Sequence, residues 1–183
     1  MMDLQRTYAD CFLAMEEATV IKKEGNCDVR YSPCSTFKIL LSLMGYEEGF
    51  LIDELHPELP FKEEYISYIE SSKNPHCLKF WMENSCIWYS QVLTKHIGIE
   101  KLKHYVGKFA YGNQDLAGDK GKNNDITNAW LSSSLEISPK EQIFFLKSLI
   151  EHKLPVTLQS HEMTKHILFL EELMVEGHIA IQK

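Results

Sequence analysis

Ser32-Pro33-Cys34-Ser35-Thr36-Phe37-Lys38-Ile39-Leu40-Leu41-Ser42-Leu43-Met44 reads as a helix entered through a serine–proline turn. Its length and its apolar content from Phe37 onward predict a buried helix that ends at Gly45 or Gly49 and starts the core. A lysine among Phe37, Ile39, Leu40 and Leu41 is out of place unless it snorkels from the helix end or serves a chemical purpose. Ser35 and Lys38 stand three residues apart, so on a helix they share a face. A buried lysine with a lowered pKa is a base toward a serine, and the amides of a helix N-terminus favour negative charge developing there. This S-x-x-K occurs once in the chain, and its spacing alone is weak evidence.

On the N-terminal side, Cys11 to Met15, then Glu16-Glu17, then Ala18 to Ile21 predict two short strands around a polar turn, closed by Gly25-Asn26. If that hairpin forms, Cys11 and Cys27 are the pair best placed for a disulfide, yet the expectation is five reduced, mostly buried thiols. The five cysteines contain no C-x-x-C, which argues against a zinc ribbon or a redox dithiol. Thr7-Tyr8-Ala9 before Asp10 places small residues where a signal peptidase reads. Residues 1–10 are therefore a possible signal-peptide remnant or a chance small-residue pair.

On the C-terminal side, Phe61, Tyr65, Tyr68 and Ile69 carry helical spacing, and Trp88 to Ile97 and Ile99 to Phe109 repeat it across a break at Gly98. Tyr111 to Thr127, rich in Gly, Asn and Asp, is expected to be a long loop bordering a site. Ser138-Pro139-Lys140-Glu141 opens the clearest helix, with Ser138 as N-cap, Pro139 at the first position and Glu141 completing a capping box. A further helix is expected from about Glu162 to Val175, and a strand from His178. His161-Glu162-Met163-Thr164-Lys165-His166 misses the zinc-binding H-E-x-x-H spacing by one residue and reads as a polar helix surface, so no metal site is expected.

The 183 residues fit one domain, with a hydrophobic fraction of 44% and a charged fraction of 25%, the balance of a chain that folds. A net charge of -7 gives no general attraction to phosphate backbones or anionic lipid, so nucleic acid is not an expected partner. No apolar run reaches the roughly 20 residues that cross a bilayer, so no membrane partner is expected either.

Tyr31-Ser32-Pro33-Cys34-Ser35-Thr36-Phe37-Lys38-Ile39 closely resembles the S-P-x-S-T-F-K-I segment of the class D, oxacillinase-type serine β-lactamases. Ser85-Cys86-Ile87 resembles that family's S-x-V, with Ile87 for valine. Tyr111-Gly112-Asn113 matches its Y-G-N, and Trp130-Leu131, Leu135, Ile137 and Ser138 match its W-L-x-x-x-L-x-I-S run. Four motifs in order, across residues 11 to 183, make the resemblance specific.

The resemblance implies an α+β, penicillin-binding transpeptidase-like fold, here as an N-terminal hairpin and helical region without the C-terminal sheet strands. It implies β-lactam hydrolysis and resistance in the complete enzyme, in the periplasm, with β-lactam antibiotics as the partners and no cofactor beyond carbon dioxide carried as a Lys38 carbamate. Ser35 would be the nucleophile, Lys38 the base and Ser85 the proton relay to the ring nitrogen. Trp130 would donate its indole N–H to the carbamate, Ile87 would wall the lysine pocket, and Tyr111 and Asn113 would order the loop carrying Trp130. The family's K-[T/S]-G is absent, with Lys183 standing about where its lysine belongs. The chain therefore reads as a domain incomplete near that motif, expected on its own to be poorly soluble or molten with little turnover. The other readings are a β-lactam-binding sensor or penicillin-binding module that acylates without turnover, and an inactive truncated remnant.

Overall fold

The structure is a computed structural model that describes residues 11–17, 19–168, 172–175 and 178–181. Strands β1 (Cys11–Glu16) and β2 (Thr19–Gly25) form the expected antiparallel hairpin. Ala14 pairs with Lys22 but Met15 pairs with Val20, so the register slips by one residue at Ile21. Contrary to the expectation of five reduced thiols, Cys11 and Cys27 are joined in a disulfide that ties the start of β1 to the residues just after β2. Cys34, Cys77 and Cys86 are free.

Helix α1 (Phe37–Glu47) buries Phe37, Lys38, Leu40, Leu41, Leu43 and Met44 at once, which an ordinary surface helix cannot do. It is the axis of the molecule, and it stops at Glu47, with Gly49 just beyond at φ +70. Gly45 lies inside α1 and leaves room for Leu51, whose side chain a Cβ there would meet at 2.5 Å. Helices α3 (Ile87–Ile97) and α7 (Leu158–Leu168) pack on α1, with α2 (Leu78–Glu83) and α6 (Pro139–Ile150) set against α7, and α4 (Ile99–Lys108) and the short α5 (Asp125–Asn128) against α3. Gly98, at φ +86, makes the corner between α3 and α4 that the sequence predicts. At the start of α6, Ser138 accepts from the Glu141 amide while Glu141 accepts from the Ser138 amide, the full capping box.

Two expected helices are corrected. Residues 61–69 form turns and bends, because Tyr65 stacks on Trp88 (5.2 Å between centroids) and Phe61 meets the same ring edge-on, while Tyr68 is left 82% exposed. Attachment to one buried indole replaces helical periodicity there. The C-terminal helix is α7, which begins earlier and ends at Leu168, and Glu172–Val175 is a strand (β3) paired antiparallel with β4 (His178–Ile181). The start of α7 is set from α1: Glu47 accepts hydrogen bonds from the Thr157 amide, the Thr157 hydroxyl and the Ser160 hydroxyl. Ser42 and Thr164 hydroxyls meet at 2.8 Å midway along the same contact.

Strand pairing among the described residues is confined to two separate two-stranded sheets and two isolated bridges, and helices dominate, as the α+β reading expects. No helix among these residues is long and apolar enough to cross a membrane. The possible signal-peptide remnant at residues 1–10, and Lys183, lie outside the described residues.

Candidate active site

Pro33 (φ -66) leads into a 3-10 turn at Cys34–Thr36 that runs directly into α1, so Ser35 sits on the first turn and Lys38 one turn further in. The Thr36 amide and hydroxyl both donate to the Pro33 carbonyl (3.1 and 2.7 Å), which tightens the turn. Ser35 is exposed, whereas Lys38, on the face that joins the core, is 4% exposed. The helix thus offers a hydroxyl to solvent and buries an amine beneath it.

Ser85 closes the site from another element. It follows α2 and precedes the Cys86 N-cap of α3, with its backbone left-handed at φ +51, a conformation that a serine holds only where its surroundings impose it. From there its Oγ lies 2.7 Å from Ser35 Oγ and 2.6 Å from Lys38 Nζ. Ser35, Ser85 and Lys38 therefore form a continuous chain of hydrogen bonds from solvent to a buried amine. Burial pushes the Lys38 amine down from its ordinary 10.5 to about 8, with the Cys86 thiol acting weakly in the opposite direction. An amine titrating near 8 is about one-tenth neutral at pH 7, and that neutral form is what a lysine base requires. Burial pushes the Cys86 thiol up.

Trp130 is 2% exposed and stacks on Phe37, the residue before Lys38, at 5.3 Å and 21°. Tyr111 meets the other part of that cluster, edge-on to Phe37 and Phe145, and its hydroxyl donates to Gln142 Oε1 on α6 (3.0 Å); burial raises its pKa. Asn113 holds the segment after Trp130: Nδ2 donates to the Ser134 carbonyl, and Oδ1 accepts from the Glu136 and Asp115 amides. Gly112 passes so close to this segment that a Cβ would lie 2.0 Å from the Glu136 carbonyl oxygen. The expected loop at 111–127 is largely irregular, ending in the short α5. It is laced by Asp119, which accepts from the Ser133 hydroxyl, Asn124 Nδ2 and Lys122 Nζ, and these bonds hold its carboxyl down at about 2.

Ile87 is half-buried at the first turn of α3 and lines, with Ser85, a shallow cleft bounded by Ser67, Tyr68, Ile69 and Ser72. The structure brings together Ser35, Lys38 and Ser85, and sets Trp130 on the neighbouring ring. His161, expected on a polar surface, is 1% exposed, its Nδ1 on the Thr157 carbonyl (2.9 Å). No group of three metal-ligating side chains occurs among the described residues. The sequence reading left Ser32 without a role. Its hydroxyl donates to the Trp130 carbonyl (2.7 Å), a partner that no local pattern reveals.

Residues 13–181 match the penicillin binding protein transpeptidase domain family. The chain is 44% identical over 144 residues to β-lactamase OXA-9 of Klebsiella pneumoniae, covering 76% of this chain and 51% of that protein. It is 41% identical over 168 residues to β-lactamase OXA-1 of Escherichia coli, covering 89% and 59%. Among solved structures it superposes on the OXA-427 class D β-lactamase with a TM-score of 0.82 and 45% identity, over 84% of this chain and 64% of that one. The chain spans about half the length of the curated relatives it matches.

Proposed function

The chain belongs to the penicillin-binding-protein transpeptidase family and, within it, to the class D β-lactamases, and we propose that it supplies the nucleophile, base and proton relay of a penicillin-hydrolysing enzyme. The observation that carries this reading is the Ser35–Ser85–Lys38 chain, 2.7 and 2.6 Å in its two links and running from an exposed hydroxyl to a buried amine. Ser35 Oγ attacks the lactam carbonyl carbon while its proton passes through Ser85 to Lys38. The ring C–N bond breaks, and Ser85 returns a proton to the departing nitrogen, leaving an ester on Ser35. Hydrolysis of that ester by water restores Ser35.

Lys38 also suits the carbon dioxide adduct that the family resemblance implies, because forming a carbamate needs a neutral amine and a dry pocket, and burial favours both. A carbamate on Lys38 would supply a base for both half-reactions. Trp130 packs on Phe37, the residue before Lys38, and its indole N–H is a donor suited to an anion. The Cys11–Cys27 disulfide supports a location outside the reducing cytoplasm, such as the periplasm, where such hydrolysis confers β-lactam resistance.

Intact-mass measurement after penicillin treatment, with nitrocefin turnover in bicarbonate alongside, tests the reading. In the full protein as its gene encodes it, a transient adduct absent from Ser35→Ala, together with hydrolysis, is the expected result. A persistent adduct without turnover points to a sensor, and no adduct at all overturns the assignment of Ser35.

A further inference from the structure

Ser32 uses both capacities of its hydroxyl: it donates to the Trp130 carbonyl (2.7 Å) and accepts from the Ser132 amide (2.8 Å). The Cys34 amide gives the same Trp130 carbonyl a second donor at 2.9 Å. On the two sides of this junction Cys34 (φ +46) and Ser132 (φ +53) are both left-handed, although neither is glycine. Two such residues facing each other mark a joint that its surroundings hold in place. The Cys34 thiol fills the space between them, 3.8 Å from Ser32 Oγ and 4.0 Å from Ser132 Oγ.

A backbone carbonyl is separated from its own side chain by the Cα alone, so fixing the Trp130 carbonyl fixes where the indole begins. That indole stacks on Phe37, and Phe37 is bonded to Lys38. We propose that Ser32 is a positioning residue of the site: its hydroxyl holds the Trp130 segment to the nucleophile turn, and so keeps the Trp130–Phe37 stack and the dry surroundings of Lys38 in place. This rests on the reading of Lys38 as the base. The role is separable from folding, because the same two segments are joined independently by the Tyr31–Ile137 backbone pair (3.0 and 2.8 Å), which a Ser32 variant keeps.

The test compares Ser32→Ala and Ser32→Thr with the unaltered protein as its gene encodes it. One readout is the pH dependence of Lys38 labelling by a small amine-reactive reagent without bicarbonate, located by peptide mass. The other is the intensity of a Lys38 carbamate signal in 13C NMR against 13C-bicarbonate concentration. Ser32→Ala is expected to move the Lys38 labelling midpoint up toward that of a solvated lysine. It should also raise the bicarbonate needed for half-occupancy by up to about tenfold, part of what the two lost hydrogen bonds are worth. Its melting temperature should fall by no more than about 8 °C with the circular dichroism spectrum unchanged, so that the chain stays folded at the labelling temperature, and Ser32→Thr should restore both readouts. Unchanged Lys38 labelling in Ser32→Ala overturns the inference, as does a change that only tracks a lowered melting temperature. If the unaltered protein takes up no 13C label, the carbamate reading fails, and the labelling midpoint still decides the role of Ser32.

Discussion

Lys38 Nζ reaches Ser35 through the hydroxyl of Ser85, which lies 2.6 Å from the amine and 2.7 Å from the nucleophile. In the proposed reaction the amine therefore acts by way of a second serine on a different element. Replacing Ser85 with alanine should slow formation of the Ser35 adduct about 10²- to 10⁴-fold, the usual worth of a positioned acid–base group, while leaving the fold intact. Stopped-flow nitrocefin hydrolysis with circular dichroism as a control measures this. Acylation at the parent rate would remove Ser85 from the relay.

The buried Lys38 should cost stability where it is charged. Its folded pKa of about 8 lies below the unfolded 10.5, so the unfolded chain binds more protons between those values. Stability then rises with pH across that window, and the full cost, on the order of 3 kcal/mol, is present below about pH 8. In bicarbonate-free buffer Lys38→Met should melt higher than the parent at pH 7, converge with it as the pH nears 10.5, and abolish turnover. Equal melting at pH 7 would mean that the amine is solvated.

Gly112→Ala should damage the site from a distance. The position has φ +55, and the new methyl would meet the Glu136 carbonyl oxygen at 2.0 Å, prying Asn113 from its partners at 134–136. A loss of roughly 2 kcal/mol or more is expected, read as a drop of about 4–8 °C in melting temperature. Gly49→Ala, at φ +70 but in open space, should cost less. Equal losses would show that backbone conformation alone sets the effect.

How far the sequence could be read follows from how local each cause is. The capping box at Ser138–Glu141, the corner at Gly98 and the burial of the Ser35 helix are each written within a few residues, and each is found as expected. The Ser35–Lys38 spacing was equally legible, and the resemblance added Ser85. Phe61, Tyr65, Tyr68 and Ile69 misled because helical spacing does not distinguish a helix face from two aromatics docked on Trp88. Ser32 stayed silent because its partner is a backbone carbonyl, which every residue possesses.

The Cys11–Cys27 disulfide closes a loop with a sequence separation of 16, for which chain entropy alone gives about 3 kcal/mol. Reduction, or Cys11→Ser with Cys27→Ser, should lower stability by up to that amount while leaving the Ser35 adduct measurable, because the hairpin lies apart from the Ser35–Ser85–Lys38 chain. Calorimetry with and without reductant checks this. Complete loss of acylation on reduction would show that the hairpin supports the site.

Acid should loosen the 117–125 loop before the rest. The Asp119 carboxylate, held at about 2 by Ser133, Asn124 and Lys122, contributes stability above its unfolded value of 3.8 and loses it as the pH falls through about 2. The Asp119 amide, which donates to Asn124, should therefore gain exchange with solvent in that window ahead of amides in α1. Simultaneous release of both would place Asp119 in the global transition.

The tie between Ser32 and Trp130 spans 98 positions of sequence. A ribosome adding residues at about 5–20 per second takes on the order of 5–20 s to cover that distance. Throughout that interval Ser35 and Lys38 have already been made, but the indole that packs on Phe37 has not. The nucleophile turn is thus complete in sequence long before its partner: the stack on Phe37 and the tie to Ser32 both wait for a residue made far later, so this corner of the fold closes only across a long span of chain.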